Sequence, residues 1–217
     1  TLAIILLFLG LFKKPGDFRY IGSFWAVSGL AMLCKGLLAI VVPAAILGAY
    51  ILATWEWKML KRMKFQWGLP IFFIVCAPWF VYMTAAFGPS YLKDFFWYHH
   101  FKRMAGEIKK PNNSFDLYVR QIFMATFPWS AFFPLAAYHA LKRKSGELYE
   151  RSGLYLFVFL SFVMPYVFFS LGSTKFNHYI FPSVPFIALL VAIYLDDHLK
   201  KPGFSDRKST RLNSSHT

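Results

Sequence analysis

Apolar residues in this chain come in blocks rather than in alternation. Leu2–Phe12, Ile21–Trp57, Gly68–Phe87, Leu117–Leu141, Gly153–Leu171 and Ile180–Leu195 are almost free of charge, and short basic or polar stretches separate them. Runs approaching or exceeding about 18 apolar residues predict helices that cross a bilayer, where a helix satisfies its own backbone polar groups and an open strand does not. Ile21–Trp57 is too long for one such helix, and Lys35-Gly36 interrupts it. A helical hairpin turning there is predicted, because Gly permits the turn and Lys reaches toward polar surroundings. The short first arm also allows a tilted or partly re-entrant helix. Pro78-Trp79 predicts a kink in the third block, and Leu117–Leu141 reads as one span with Pro128-Trp129 near its middle. The predicted fold class is all-α, a polytopic integral membrane helical bundle forming a single multi-span domain over residues 1–201.

Composition strengthens this reading. The chain is 57% hydrophobic and 21% aromatic, with 16% charged residues against about 25% in soluble domains. Leu2–Phe12 is too short to span and begins as though cut within a helix. Residues 202–217 read as a disordered tail, of which Asp206–Thr217 (DRKSTRLNSSHT) resembles translated adapter sequence. The expectation is a fragment of a longer protein. Cys34 and Cys76 lie in apolar runs without metal-type spacing and are expected to be buried thiols.

Charge sets the sidedness. Short basic turns at Lys13/Lys14/Arg19, Lys58–Lys64, Lys142–Arg151 and Lys200/Lys201 are placed in the cytoplasm by the positive-inside rule. Counting crossings then puts the Lys35-Gly36 turn, the Tyr91–Asp116 insert and the Ser173–Tyr179 turn on the opposite side. A formal charge of +14 would suggest nucleic acid in a soluble protein. Here it is assigned to the cytoplasmic loops and an anion-binding outer surface, with no nucleic-acid partner.

The insert carries Lys93, Lys102, Arg103, Lys109 and Lys110 beside His99 and His100. As a helix it would put Leu92, Phe95, Phe96, His99 and Arg103 on one face, giving an extracytoplasmic amphipathic helix at the lipid boundary. Basic residues on an outer loop defy the usual bias, and an anionic lipid head group supplies a reason. There is no Walker-type loop, GxGxxG or HExxH.

These segments together resemble a known family. Gly29-Leu30-Ala31-Met32-Leu33-Cys34-Lys35-Gly36 with Pro43 is similar to the "G-L-x-x-L-x-K-G … P" segment of polyprenyl-phosphate-dependent membrane glycosyltransferases of the GT-C fold. That family includes the lipid A aminoarabinose transferases and the protein O-mannosyltransferases. Ala77-Pro78-Trp79-Phe80, Phe95-Phe96…Arg103…Lys110-Pro111 and Phe127-Pro128-Trp129 follow in the family's order. Lys175 to Pro182, with Pro185, resembles its "S-x-x-K-x-x-x-Y-x-x-P-x-x-P" signature, and the likeness runs from about Gly22 to Leu195.

The resemblance implies transfer of a sugar from a polyprenyl phosphate to an extracytoplasmic acceptor (lipid A, another glycan or a protein) in the bacterial inner membrane. It places the catalytic aspartate in a first outer loop upstream of Thr1, so no catalytic residue is assigned within the chain, which is expected to be inactive by itself. Asp94, Glu107 and Asp116 match no catalytic position. Phosphate-binding candidates are Arg103, Lys175, Lys35, His99, His178 and Tyr179. The leaving group is a lipid phosphate, so cations and hydrogen-bond donors aimed at it stabilise the developing charge, and the Arg fork suits phosphate oxygens. Each has a plainer role: Arg103 as a snorkelling anchor, Lys175 as a loop lysine, Lys35 as a cation on a helix C-terminus, His99 as an interfacial or hydrogen-bonded histidine, His178 and Tyr179 as boundary aromatics. No cofactor is assigned, and a divalent metal stays open, with His99 the candidate ligand. The alternative function is a transporter or flippase for an anionic lipid-linked substrate, which would call for repeated halves and charges near mid-membrane.

Overall fold

The computed structural model describes residues 1–97, 116–142, 149–172 and 177–199. Every element among them is helical. The chain runs through α1 (Leu2–Phe8, continued as a π turn Leu9–Lys13), α2 (Phe18–Lys35), α3 (Leu38–Thr54), α4 (Lys58–Arg62), α5 (Phe65–Phe87) and α6 (Ser90–Lys93). It resumes with α7 (Asp116–Ala125), a 3-10 turn Trp129–Phe132, α8 (Phe133–Lys142), α9 (Tyr149–Leu171), a 3-10 turn Asn177–Ser183 and α10 (Val184–Leu199). Among the described residues, three stretches are long and apolar enough to cross a membrane: Phe65–Phe87, Gly153–Leu171 and Tyr179–Leu199. Leu2–Lys13 and Leu38–Thr54 are shorter apolar helices.

Local chemistry sets the breaks. Asp17 caps α2, its carboxylate accepting the Arg19 backbone N–H at 2.9 Å. Gly36 ends it at φ 65°, a left-handed backbone that favours glycine, and α3 follows at once. The predicted turn is therefore where the sequence put it. α5 likewise stops at Gly88, φ 83°.

The predicted continuous span over 117–141 is corrected. α7 ends at Ala125, where the Thr126 hydroxyl bonds back to the Ile122 carbonyl at 2.8 Å. Pro128 then offers no N–H, and Ser130 and Ala131 donate to Thr126 and Pro128 in tight turns before α8 begins. Cys34 is also corrected: it is exposed on the outer face of α2, while Cys76 is buried as expected.

Small residues let the helices touch. Trp25 of α2 lies directly on Gly68 of α5, where any Cβ would collide with the indole, and its Nε1–H donates to the Met63 carbonyl at 3.0 Å. Gly29 meets the Phe72 carbonyl and Val75 in the same way. These contacts ascend both helices in the same order, so α2 and α5 are parallel, and α3, which runs back between them in the chain, packs on α2 and α9 instead. Close approach at glycine substitutes for a hydrophobic driving force, which lipid does not supply.

Around Phe12 a ring cluster joins α1, α3 and α9: its centroid lies 4.9 Å from Phe8, 5.2 Å from Tyr50 and 5.4 Å from Phe157. Gly153 opens α9 against Tyr50 and Phe12. α10 runs back along α9, and near its end Asp197 accepts the Tyr155 hydroxyl at 2.8 Å. Arg62 ties α4 to the π turn by donating to the Leu11 carbonyl at 3.1 Å.

The bundle therefore has two unlike ends. Lys13, Lys14, Arg19, α4 and Lys142 gather at one, the basic end. Gly36, the 177–183 turn and the C-terminal ends of α5 and α9 lie at the other. This is the alternation that counting crossings predicts. α5 is nearly all outward-facing, with 11% of its most apolar window buried, as suits a lipid-facing helix.

Candidate functional site

At the end opposite the basic turns, α1, α2, α3, α9 and the 177–183 turn enclose a cavity of about 170 Å³. Its walls are mainly small or apolar, with Ala31, Ala39, Pro43 and Phe169 among them. Lys35 and Tyr179 line it together. Lys35 is the last residue of α2, where a cation complements the helix dipole. Its side chain is exposed, so the cation is solvated as well as facing the cavity. Tyr179 is half-buried and packs on Phe169 with centroids 5.1 Å apart, which orients the phenol from the 3-10 turn. The adjacent Ser183 is fully buried, and its hydroxyl has no partner among the described residues.

Chemically, this is a compact pocket with an ammonium and a phenol at one apolar rim. It has room for a group the size of a phosphate, with a cation at its edge.

Two of the six sequence-nominated residues are thus brought to one place. His178 belongs to the same turn, but its side chain lies outside what is described. Arg103, His99 and Lys175 lie outside the described residues, as does most of the proposed interfacial helix. What is described of that segment is helical from Ser90, with a π-type turn from Asp94 to Trp97. Phe95 and Phe96 both pack on Phe80 of α5, at 5.2 and 5.8 Å between centroids, so this first part folds against the end of α5. A broad cleft beside it is lined by Met83, Phe87, Ser90, Tyr91, Asp94 and Phe95.

No group of three or more His, Cys, Asp or Glu side chains placed to hold a metal occurs among the described residues. Sequence reasoning passed over Phe169 and Ala39. One Phe among 26 and one Ala in an apolar run give no one-dimensional signal. Pro43 and Pro182, by contrast, stand in the family-like motifs and do border the cavity.

No protein-family model matches the chain. Comparison with curated proteins does find relatives. The chain is 30% identical over 177 residues to the undecaprenyl phosphate-alpha-4-amino-4-deoxy-L-arabinose arabinosyl transferase 2 of Proteus mirabilis, covering 80% of this chain and 30% of the relative. The enzyme of the same name from Pseudomonas fluorescens is 30% identical over 206 residues, covering 92% and 35%. The resemblance is to the aminoarabinose transferases. The fold agrees: the crystal structure of ArnT from Cupriavidus metallidurans bound to undecaprenyl phosphate superposes with a TM-score of 0.74 at 23% identity, over 89% of this chain and 34% of that one. Its apo structure gives 0.72. The chain spans about a third of the length of the curated relatives it matches. It is a multi-pass membrane protein with an aminoarabinose-transferase-like helical fold.

Proposed function

We propose that the chain is part of a membrane glycosyltransferase that moves a sugar from undecaprenyl phosphate, or a related polyprenyl phosphate, to an acceptor outside the cytoplasm. Lipid A is the acceptor that the aminoarabinose-transferase resemblance favours. In this reading the membrane is the bacterial inner membrane, and the Lys35–Tyr179 end faces away from the cytoplasm. The observation that carries the proposal is the meeting of Lys35 and Tyr179, from two widely separated family-like motifs, in one cavity opposite the basic turns.

The reaction breaks the bond between the sugar's anomeric carbon and the lipid phosphate oxygen. A new bond forms to the acceptor oxygen, and the lipid phosphate leaves with its charge restored. Lys35 contributes a fixed cation near that leaving phosphate, and Tyr179 an O–H donor. Arg103 and Lys175 are proposed to bring further cations, Arg103 by a two-pronged hold on phosphate oxygens. His99 and His178 are proposed as supporting donors. The catalytic acid or base is assigned to sequence outside this chain.

The test is turnover of the full-length parent with radiolabelled undecaprenyl-phosphate-linked aminoarabinose, comparing wild type with Arg103→Ala, Lys175→Ala and Tyr179→Phe. Each variant is expected to slow transfer by roughly 10- to 1000-fold, the range typical of lost electrostatic stabilisation. Wild-type turnover in all three removes the site assignment, and no transfer by the wild-type parent removes the function.

A further inference from the structure

The basic end carries its own construction, and none of it is used by the proposed transfer. The turn after α1 contributes Lys13, Lys14 and Arg19, all exposed. α4 and its flanks contribute exposed Lys58 and Lys61 and half-buried Arg62 and Lys64. These two stretches lie far apart in the chain but are fastened into one surface. Arg62 donates to the Leu11 carbonyl at 3.1 Å, and the Lys64 side chain passes beside Gly16. Met59 and Met63 are buried, one helical turn apart, so α4 lies across the bundle end with Lys58 and Lys61 turned outward. Among the described residues, these two stretches carry the carboxylates Asp17, which caps α2, and half-buried Glu56, and α10 ends at the same side with Asp196 and Asp197.

Flanking the cations, Trp55, Trp57 and Trp67 are 73%, 53% and 60% exposed. Indoles seek the boundary between head groups and acyl chains, which fixes the depth of the patch at the head groups of that leaflet.

We infer that this surface is a docking site for anionic phospholipid head groups, in which the two basic turns hold the phosphates and the tryptophans lie against the upper acyl chains. The charge excess selects anionic over zwitterionic lipid, and the carbonyl anchors keep the cations together without neutralising them. The assignment is independent of the transferase reading, since it needs only that the chain spans a bilayer.

The test uses the chain reconstituted in phosphatidylcholine vesicles containing a small fraction of brominated phosphatidylglycerol or, separately, the same fraction of brominated phosphatidylcholine. Tryptophan quenching reads which lipid gathers at the surface. Brominated phosphatidylglycerol is expected to quench several-fold more strongly, and added salt should reduce the difference. The triple variant Lys14→Gln, Lys58→Gln, Lys61→Gln should lose most of that several-fold preference. Trp55→Phe with Trp57→Phe should remove most of the preferential signal, which locates it. Lys142→Gln, at the same end but on α8, should leave it intact. Equal quenching by the two lipids overturns the assignment, as does a preference that survives the triple variant or falls equally in Lys142→Gln. Helical circular dichroism of each variant separates loss of lipid selection from loss of fold.

Discussion

The two halves of the bundle use small residues for opposite purposes. Toward the basic end, Gly68 and Gly153 let neighbouring helices close until Trp25 and the Phe12–Tyr50–Phe157 rings fill all the space. Toward the other end, Ala31 and Ala39 line a cavity together with Lys35, Phe169 and Tyr179. A missing side chain thus means contact where a ring or backbone group of the opposite helix is brought against it, as at Gly68 and Gly29, and space where the neighbours stand back.

The most disruptive way to test this contrast is Gly68→Leu. An added Cβ overlaps the Trp25 indole, so α2 and α5 must separate. A loss of about 3 kcal/mol or more is expected, measured as a lowered thermal or denaturant midpoint of the protein in detergent. An unchanged midpoint would show that the helices are not held by this contact.

Lys35→Ala addresses the open half. Turnover by the full-length parent should fall about a hundredfold while the denaturation midpoint stays within about 0.5 kcal/mol of wild type, because Lys35 is exposed. A matching loss of stability would make Lys35 a structural cation instead.

A milder change sharpens the tight half. Trp25→Phe keeps much of the ring packing but removes the hydrogen bond to the Met63 carbonyl, at an expected cost of about 1–3 kcal/mol, since that buried carbonyl is left with one donor fewer. The smallest effect belongs beside the cavity. Ser183→Ala removes a buried hydroxyl that has no partner among the described residues, and is expected to be neutral or stabilising by up to about 1 kcal/mol. A clear destabilisation would mean that this hydroxyl is engaged by a water or ligand.

Proline shows how much of the fold can be read from local sequence. Pro43, Pro70, Pro78 and Pro165 all sit inside continuous helices, whereas the chain around Pro128 divides into α7, a tight turn and α8. Each proline removes one donor and strains one turn. Whether the helix continues depends on what the surrounding groups do with the freed carbonyl, which at Pro128 is that of Met124, met by the Phe127 N–H at 3.5 Å. No hydropathy pattern contains that information. The cluster of His139, Tyr194 and His198 near the basic end was equally invisible, since it brings α8 onto α10 through the His139 ring, 5.3 Å from Tyr194 and 5.1 Å from His198.

The sequence by itself determined the class of protein, the break at Gly36 and the grouping of basic turns at one end. Apolar run length, glycine conformational freedom and the cost of burying charge all act locally along the chain. Only the tertiary structure decided that Lys35 and Tyr179 share a cavity, that Trp25 seats on Gly68, and that the two basic turns form one surface. Those pairings depend on which helix faces are complementary in shape, a property of side chains meeting across space.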